Sequence, residues 1–166
     1  MSRALEALAE TALSEERRTL TSRVLDVPRA LVWQAWTRPE HIARWWGCAG
    51  FVVTRCELDP TPGGCLRLDL LGPDGKLYPC RGRFREVVEP ERIVFEGDSD
   101  AGRPCGIGLP PGARVVVRFE AQDGKTRLTL ETLFKSAVAR QAAVDTGYGA
   151  SWRGSLERLA AVAANL

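Results

Sequence analysis

The chain has one histidine, one methionine, two tyrosines and a net charge of only +2 in 166 residues, and these shortages close off whole classes of function. With one histidine and no clustered ligands, a metal-dependent hydrolase has nothing to hold its ion. Twenty-three Lys and Arg nearly balance twenty-one Asp and Glu, so there is no basic footprint for nucleic acid or anionic lipid. The longest apolar run, Leu159 to Ala164, falls far short of the roughly 20 residues that cross a bilayer, so no membrane insertion is expected. Glu6, Glu10, Glu15 and Glu16 interrupt the first residues, which excludes the continuous apolar core of a secretory signal. Five cysteines, Cys48, Cys56, Cys65, Cys80 and Cys105, are odd in number and contain no C-x-x-C pair, against both a zinc site and a full disulfide framework. Each is expected to pack as a small buried hydrophobe in a reducing, cytoplasmic setting.

What is present is the apolar content of one compact domain, 45% hydrophobic with 27% charged residues. Leu5, Leu8, Ala9, Ala12 and Leu13 recur at helical spacing, so residues 1–19 read as an N-terminal helical extension. It either packs on the domain or on a second copy of the chain, or frays as a tail. The domain proper is expected over 20–166. Leu20 to Val27 reads as a strand closed by Pro28. A helix follows, with Leu31, Val32, Ala35 and Trp36 on one face, and Pro39 ends it by pushing its predecessor out of helical geometry. A second short helix, Pro39 to Trp45, brings Ile42, Trp45 and Trp46 up to Gly47.

From Phe51 to Phe134 the period changes to two, with turn signals about every dozen residues. Five or six antiparallel strands result: Phe51 to Leu58, Cys65 to Leu71, Tyr78 to Val88, Arg92 to Glu96, Arg114 to Glu120 and Thr126 to Phe134. A Pro- and Gly-rich loop through Pro104 and Pro110-Pro111 interrupts them. Alternation assigns Leu66, Leu68, Leu70, Val115, Val117, Phe119, Leu128 and Leu130 to one covered face, and helices must cover it. Ser136 to Asn165 is long enough to do so. Val138, Ala142, Val144, Trp152, Leu156, Leu159 and Val162 form its apolar stripe, with a break expected at Asp145-Thr146-Gly147-Tyr148-Gly149.

The segment Val27 to Thr37, then Pro39-Glu40-His41-Ile42-Ala43-Arg44-Trp45-Trp46-Gly47, with Pro62-Gly63-Gly64, Gly82-Arg83-Phe84 and Pro90 to Phe95, resembles the SRPBCC superfamily. More narrowly, it is similar to the bacterial branch related to the C-terminal domain of the activator of the ninety-kilodalton heat-shock chaperone's ATPase. The resemblance covers about residues 20 to 164. It implies an α+β helix-grip fold: a curved antiparallel sheet of about six to seven strands, two short helices and a long C-terminal helix enclosing a cavity. The wider superfamily includes lipid-transfer domains, hormone receptors and polyketide cyclases, so fold alone leaves activity open.

The residues support a hydrophobic or aromatic small molecule as ligand in their own right. Cys80, Gly82, Gly149 and Ala150 are small and would widen the interior, while Trp46, Phe51, Tyr78, Phe84, Phe95 and Trp152 would wall it. Trp33 and Trp36 read as core on the helix that plugs the sheet. Tyr78 and Trp152 each add a polar atom that could orient a ligand. No cofactor and no metal are implied. The alternative is a cyclase- or dehydratase-like enzyme using Glu86 or Tyr78 as acid or base: if Phe84 points inward, a period of two carries Glu86 inward too. His41 reads as a surface residue. A third reading is an interaction module, for a chaperone or a second copy (a homodimer), presenting the Arg81, Arg83 and Arg85 stripe. No separate N-terminal domain like that of the eukaryotic chaperone activators is expected, so their activity is not expected to carry over.

Overall fold

The computed structural model describes residues 3–98 and 110–166; the expected loop through Pro104, and Cys105, lie outside the described residues. The chain runs α1 (Arg3–Glu16), β1 (Arg18–Leu25), α2 (Arg29–Thr37), α3 (Pro39–Ile42), then β2 (Val52–Leu58), β3 (Cys65–Leu71), β4 (Leu77–Val88), β5 (Arg92–Gly97), β6 (Arg114–Gln122) and β7 (Lys125–Leu133), and ends with α4 (Ala137–Asp145) and α5 (Tyr148–Ala164). The strands form one curved antiparallel sheet in the order β1-β7-β6-β5-β4-β3-β2, so the first two strands occupy its opposite edges.

Local chemistry sets the joints. Arg38 is extended at φ −117 and ψ 128 because Pro39 follows it, which stops α2 at Thr37 and starts α3 with a proline at its first turn. Asp123 and Gly124 both have positive φ, 51 and 78, and join β6 to β7 in the two-residue turn whose twist suits a hairpin. The Ser136 side chain accepts from the Ala139 amide and caps α4. Gly147, left-handed at φ 88, then separates α4 from α5, which is the expected break.

On the inner face Leu66, Leu68, Leu70, Val115, Val117, Phe119, Leu128 and Leu130 are buried, as alternation requires. From β2 to β7 that face carries no charged side chain among the described residues. The covering layer is α2 with α5, which packs most closely on α2 and β1 through Tyr148, Trp152, Ser155, Leu156, Leu159, Val162 and Ala163. Helix α4 departs from the expected stripe: it has no fully buried residue, and Val138 is 80% exposed. The stripe passes to the core only after the Gly147 break turns the chain. Helix α1 lies beside α4 and β1 with Leu5 and Leu8 exposed.

Candidate functional site

The space between α5 and the sheet is occupied by a continuous group of rings. Trp36 of α2 stacks on Trp152 of α5 at 6.0 Å between centroids. Trp46 meets Trp152 edge-on at 5.2 Å and reaches Phe95 of β5 at 6.2 Å, and Phe95 contacts Phe84 of β4 at 6.4 Å. Trp45 closes on Trp36 at 4.7 Å and donates its indole N–H to the Ala35 carbonyl at 2.9 Å. The indole N–H groups of Trp36, Trp46 and Trp152 are buried and have no acceptor among the described residues. Buried side-chain polar atoms are paired in the large majority of cases, and an unmet donor costs about 1–3 kcal/mol. Three in one contiguous cluster make this the least satisfied part of the interior.

A second polar feature adjoins it. The Tyr148 and Thr132 hydroxyls, both buried, are 2.7 Å apart. Burial pushes the Tyr148 hydroxyl up to about 12, against opposing pulls from Thr132 and Trp152. The Trp152 indole lies near that oxygen without reaching hydrogen-bond geometry. Cys80 on β4 is also buried near Tyr148.

Trp45 and Trp46 follow α3 on a segment that is neither long helix nor strand, and α5 ties that segment down. The Ser155 hydroxyl donates to the Gly47 carbonyl at 2.9 Å, and Arg158 donates to the carbonyls of Trp45 and Gly47. A Cβ on Gly47, whose φ is 120, would meet Leu70 at 2.9 Å, so the chain turns tightly there.

Of the candidate lining residues, Trp46, Cys80, Phe84, Phe95 and Trp152 are all buried in this interior. Phe51 and Tyr78 form a separate pair, 5.3 Å between centroids, where the Tyr78 hydroxyl donates to Asp74 beside the β3–β4 turn. Glu86 is a correction. The β4–β5 register shifts between Phe84 and Glu86, one extra residue on β4 reverses the alternation, and Val87 instead of Glu86 pairs with inward Ile93. Glu86 sits half-exposed on the outer face, paired with Arg92. Gly149 and Ala150 do not widen the interior either: Ala150 is exposed, and a Cβ on Gly149 would meet the Arg153 guanidinium at 3.4 Å.

Tyr148 is the residue that sequence reasoning missed. It lies four positions before Trp152 and eight before Leu156, a spacing that puts it on the buried face. Among the described cysteines only Cys80 is fully buried; Cys56 and Cys65 are half-buried, as is Cys48, whose thiol donates to the Ser151 hydroxyl at 3.9 Å. The outer arginines are largely neutralised, with Arg81 2.6 Å from Asp69 and Arg85 2.8 Å from Glu96, while Arg83 is exposed. His41 is half-buried at the end of α3, away from the ring cluster's contacts.

Residues 26–164 match a known family, described as Activator of Hsp90 ATPase homolog 1-like protein. The chain belongs to this family. Among solved structures, this homolog 1-like chain is similar to a protein from Nitrosomonas europaea, with 24% identity over 90% of this chain and 96% of that one and a TM-score of 0.80. A Mycobacterium smegmatis protein shows 25% identity over 90% and 91%, with a TM-score of 0.75. The AHSA1 protein from Silicibacter pomeroyi shows 21% identity over 89% and 98%, with a TM-score of 0.68. No curated protein matches the chain. At these identities the likeness carries the fold, and the seven-stranded helix-grip architecture is common ground for the family member described above. No helix among the described residues is long and apolar enough to cross a membrane.

Proposed function

We propose that this protein binds a hydrophobic, aromatic small molecule beneath α5, among Trp36, Trp46, Trp152, Phe84, Phe95 and Cys80. The observation that carries the reading is the cluster of three buried indoles whose N–H groups lack acceptors. A core built only for stability would fill this space with side chains that leave no donor unmet. A flat aromatic guest would renew the stacked and edge-on ring contacts that fill this interior.

The enzymatic alternative loses its carboxylate with Glu86 on the outer face, and its other candidate, Tyr78, stands apart from the ring cluster with its hydroxyl on Asp74. The chaperone reading loses most of its positive stripe to Asp69 and Glu96. Thermal unfolding with a panel of aromatic compounds tests the proposal. A ligand at about 100 times its Kd stabilises by about 2.7 kcal/mol and should raise Tm by roughly 5–10 °C, with tryptophan emission changing in parallel. A flat response across aromatic and aliphatic compounds alike would remove the proposal.

A further inference from the structure

Resting on the reading above, we infer that the ligand is an uncharged aromatic bearing a hydrogen-bond acceptor, such as a ketone oxygen, in preference to a hydrocarbon or a carboxylate. The argument is an inventory of donors and acceptors. The indole N–H groups of Trp36, Trp46 and Trp152 can only donate; those of Trp36 and Trp46 have no acceptor among the described residues, and that of Trp152 has at best the Tyr148 hydroxyl nearby, outside good hydrogen-bond geometry. The Tyr148 and Thr132 hydroxyls hold two protons between them, and their single mutual bond uses one. The other has no acceptor among the described residues, whichever hydroxyl donates. The interior therefore holds an excess of neutral donors.

It holds no matching charge. The inner face from β2 to β7 has no charged side chain among the described residues, and Arg158 is occupied by the carbonyls of Trp45 and Gly47 and by the Ser155 hydroxyl. A carboxylate brought into this space gains donors but loses its hydration with no cation opposite, a loss that neutral donors do not make good. A hydrocarbon keeps the ring contacts and leaves every donor unmet. An uncharged acceptor alone satisfies both conditions, and one further donor on the ligand would add to the excess.

The test uses the whole chain and three naphthalenes substituted at one ring position: acetonaphthone, ethylnaphthalene and naphthoate. They share a ring system and differ in the group presented. Calorimetric titration should show acetonaphthone binding about tenfold more tightly than either companion, the worth of one buried hydrogen bond. Heteronuclear NMR of the five indole N–H signals should show the ketone moving at least one of Trp36, Trp46 and Trp152 downfield, with Trp45, already bonded to Ala35, unmoved. Trp46→Phe or Trp152→Phe should reduce the ketone preference to under about threefold. The NMR measurement on the unaltered chain decides the matter where a variant fails to fold. Equal binding of ketone and hydrocarbon, or a lead for naphthoate, overturns the inference and leaves aromatic binding standing. Failure of all three to bind overturns the reading on which it rests.

Discussion

On its inner face β4 presents Cys80, Gly82 and Phe84 to buried rings, while the intervening Arg81, Arg83 and Arg85 look outward among carboxylates on neighbouring strands. The two faces share a backbone and differ in what a wrong neighbour costs. Outside, water meets any charge that loses its partner, and exposed ion pairs contribute about 0–1 kcal/mol. Inside, a missing atom leaves a void and a missing partner leaves a desolvated group. Three tryptophans with unpaired indole nitrogens lie on the side where such defects are most expensive.

Substitutions can break or sharpen this contrast. The largest effect should come from Trp152→Ala, which empties the centre of the ring cluster and should cost about 3–5 kcal/mol in urea unfolding. A loss below about 1 kcal/mol would mean that the rings are not the core they look like. Tyr148→Phe should follow, with a loss of about 1–2 kcal/mol because it strands the Thr132 hydroxyl. Since burial raises the folded Tyr148 value to about 12, its contribution is complete below the ordinary tyrosine value of about 10 and disappears as pH rises through about 12. Tyrosinate absorbance should lose its latest step in the variant, and retention of that step would assign it elsewhere.

Glu96 tests the outer face at acid pH. Burial works against its charge, but the hydrogen bonds from Arg114 and Arg85 outweigh it and hold the carboxyl below its usual range. Its contribution is therefore present above the ordinary carboxylate value and lost as pH falls through the lowered one. Glu96→Gln should flatten that part of the acid unfolding curve while leaving the alkaline limb unchanged. Smallest of all, Arg83→Ala and Leu8→Ala should each stay within about 0.5 kcal/mol, since both side chains are exposed. A larger loss for Leu8→Ala that depends on protein concentration would reveal a second copy resting on α1.

Much of this architecture was legible in local sequence. The stop at Pro39, the Asp123-Gly124 turn, the alternation through β3, β6 and β7 and the break before Tyr148 all follow from chemistry within a few residues. The site was legible only in part: Trp46, Phe84, Phe95 and Trp152 follow from residue type and parity, whereas Tyr148 was hidden among glycines. Glu86 was misplaced because one extra residue in β4 reverses parity, and a period of two carries no warning of it.

Residue order by itself determined the faces of β3, β6 and β7, the turns and the family, because sterics and alternation act between near neighbours. Tertiary structure alone decided which donors go unmet, for that depends on contacts between distant segments: Tyr148 with Thr132, Trp36 with Trp152, and Arg158 with the Trp45 carbonyl 113 positions away. A hydrogen bond requires an acceptor at one distance and angle, and only the packed helix and sheet determine whether one is there.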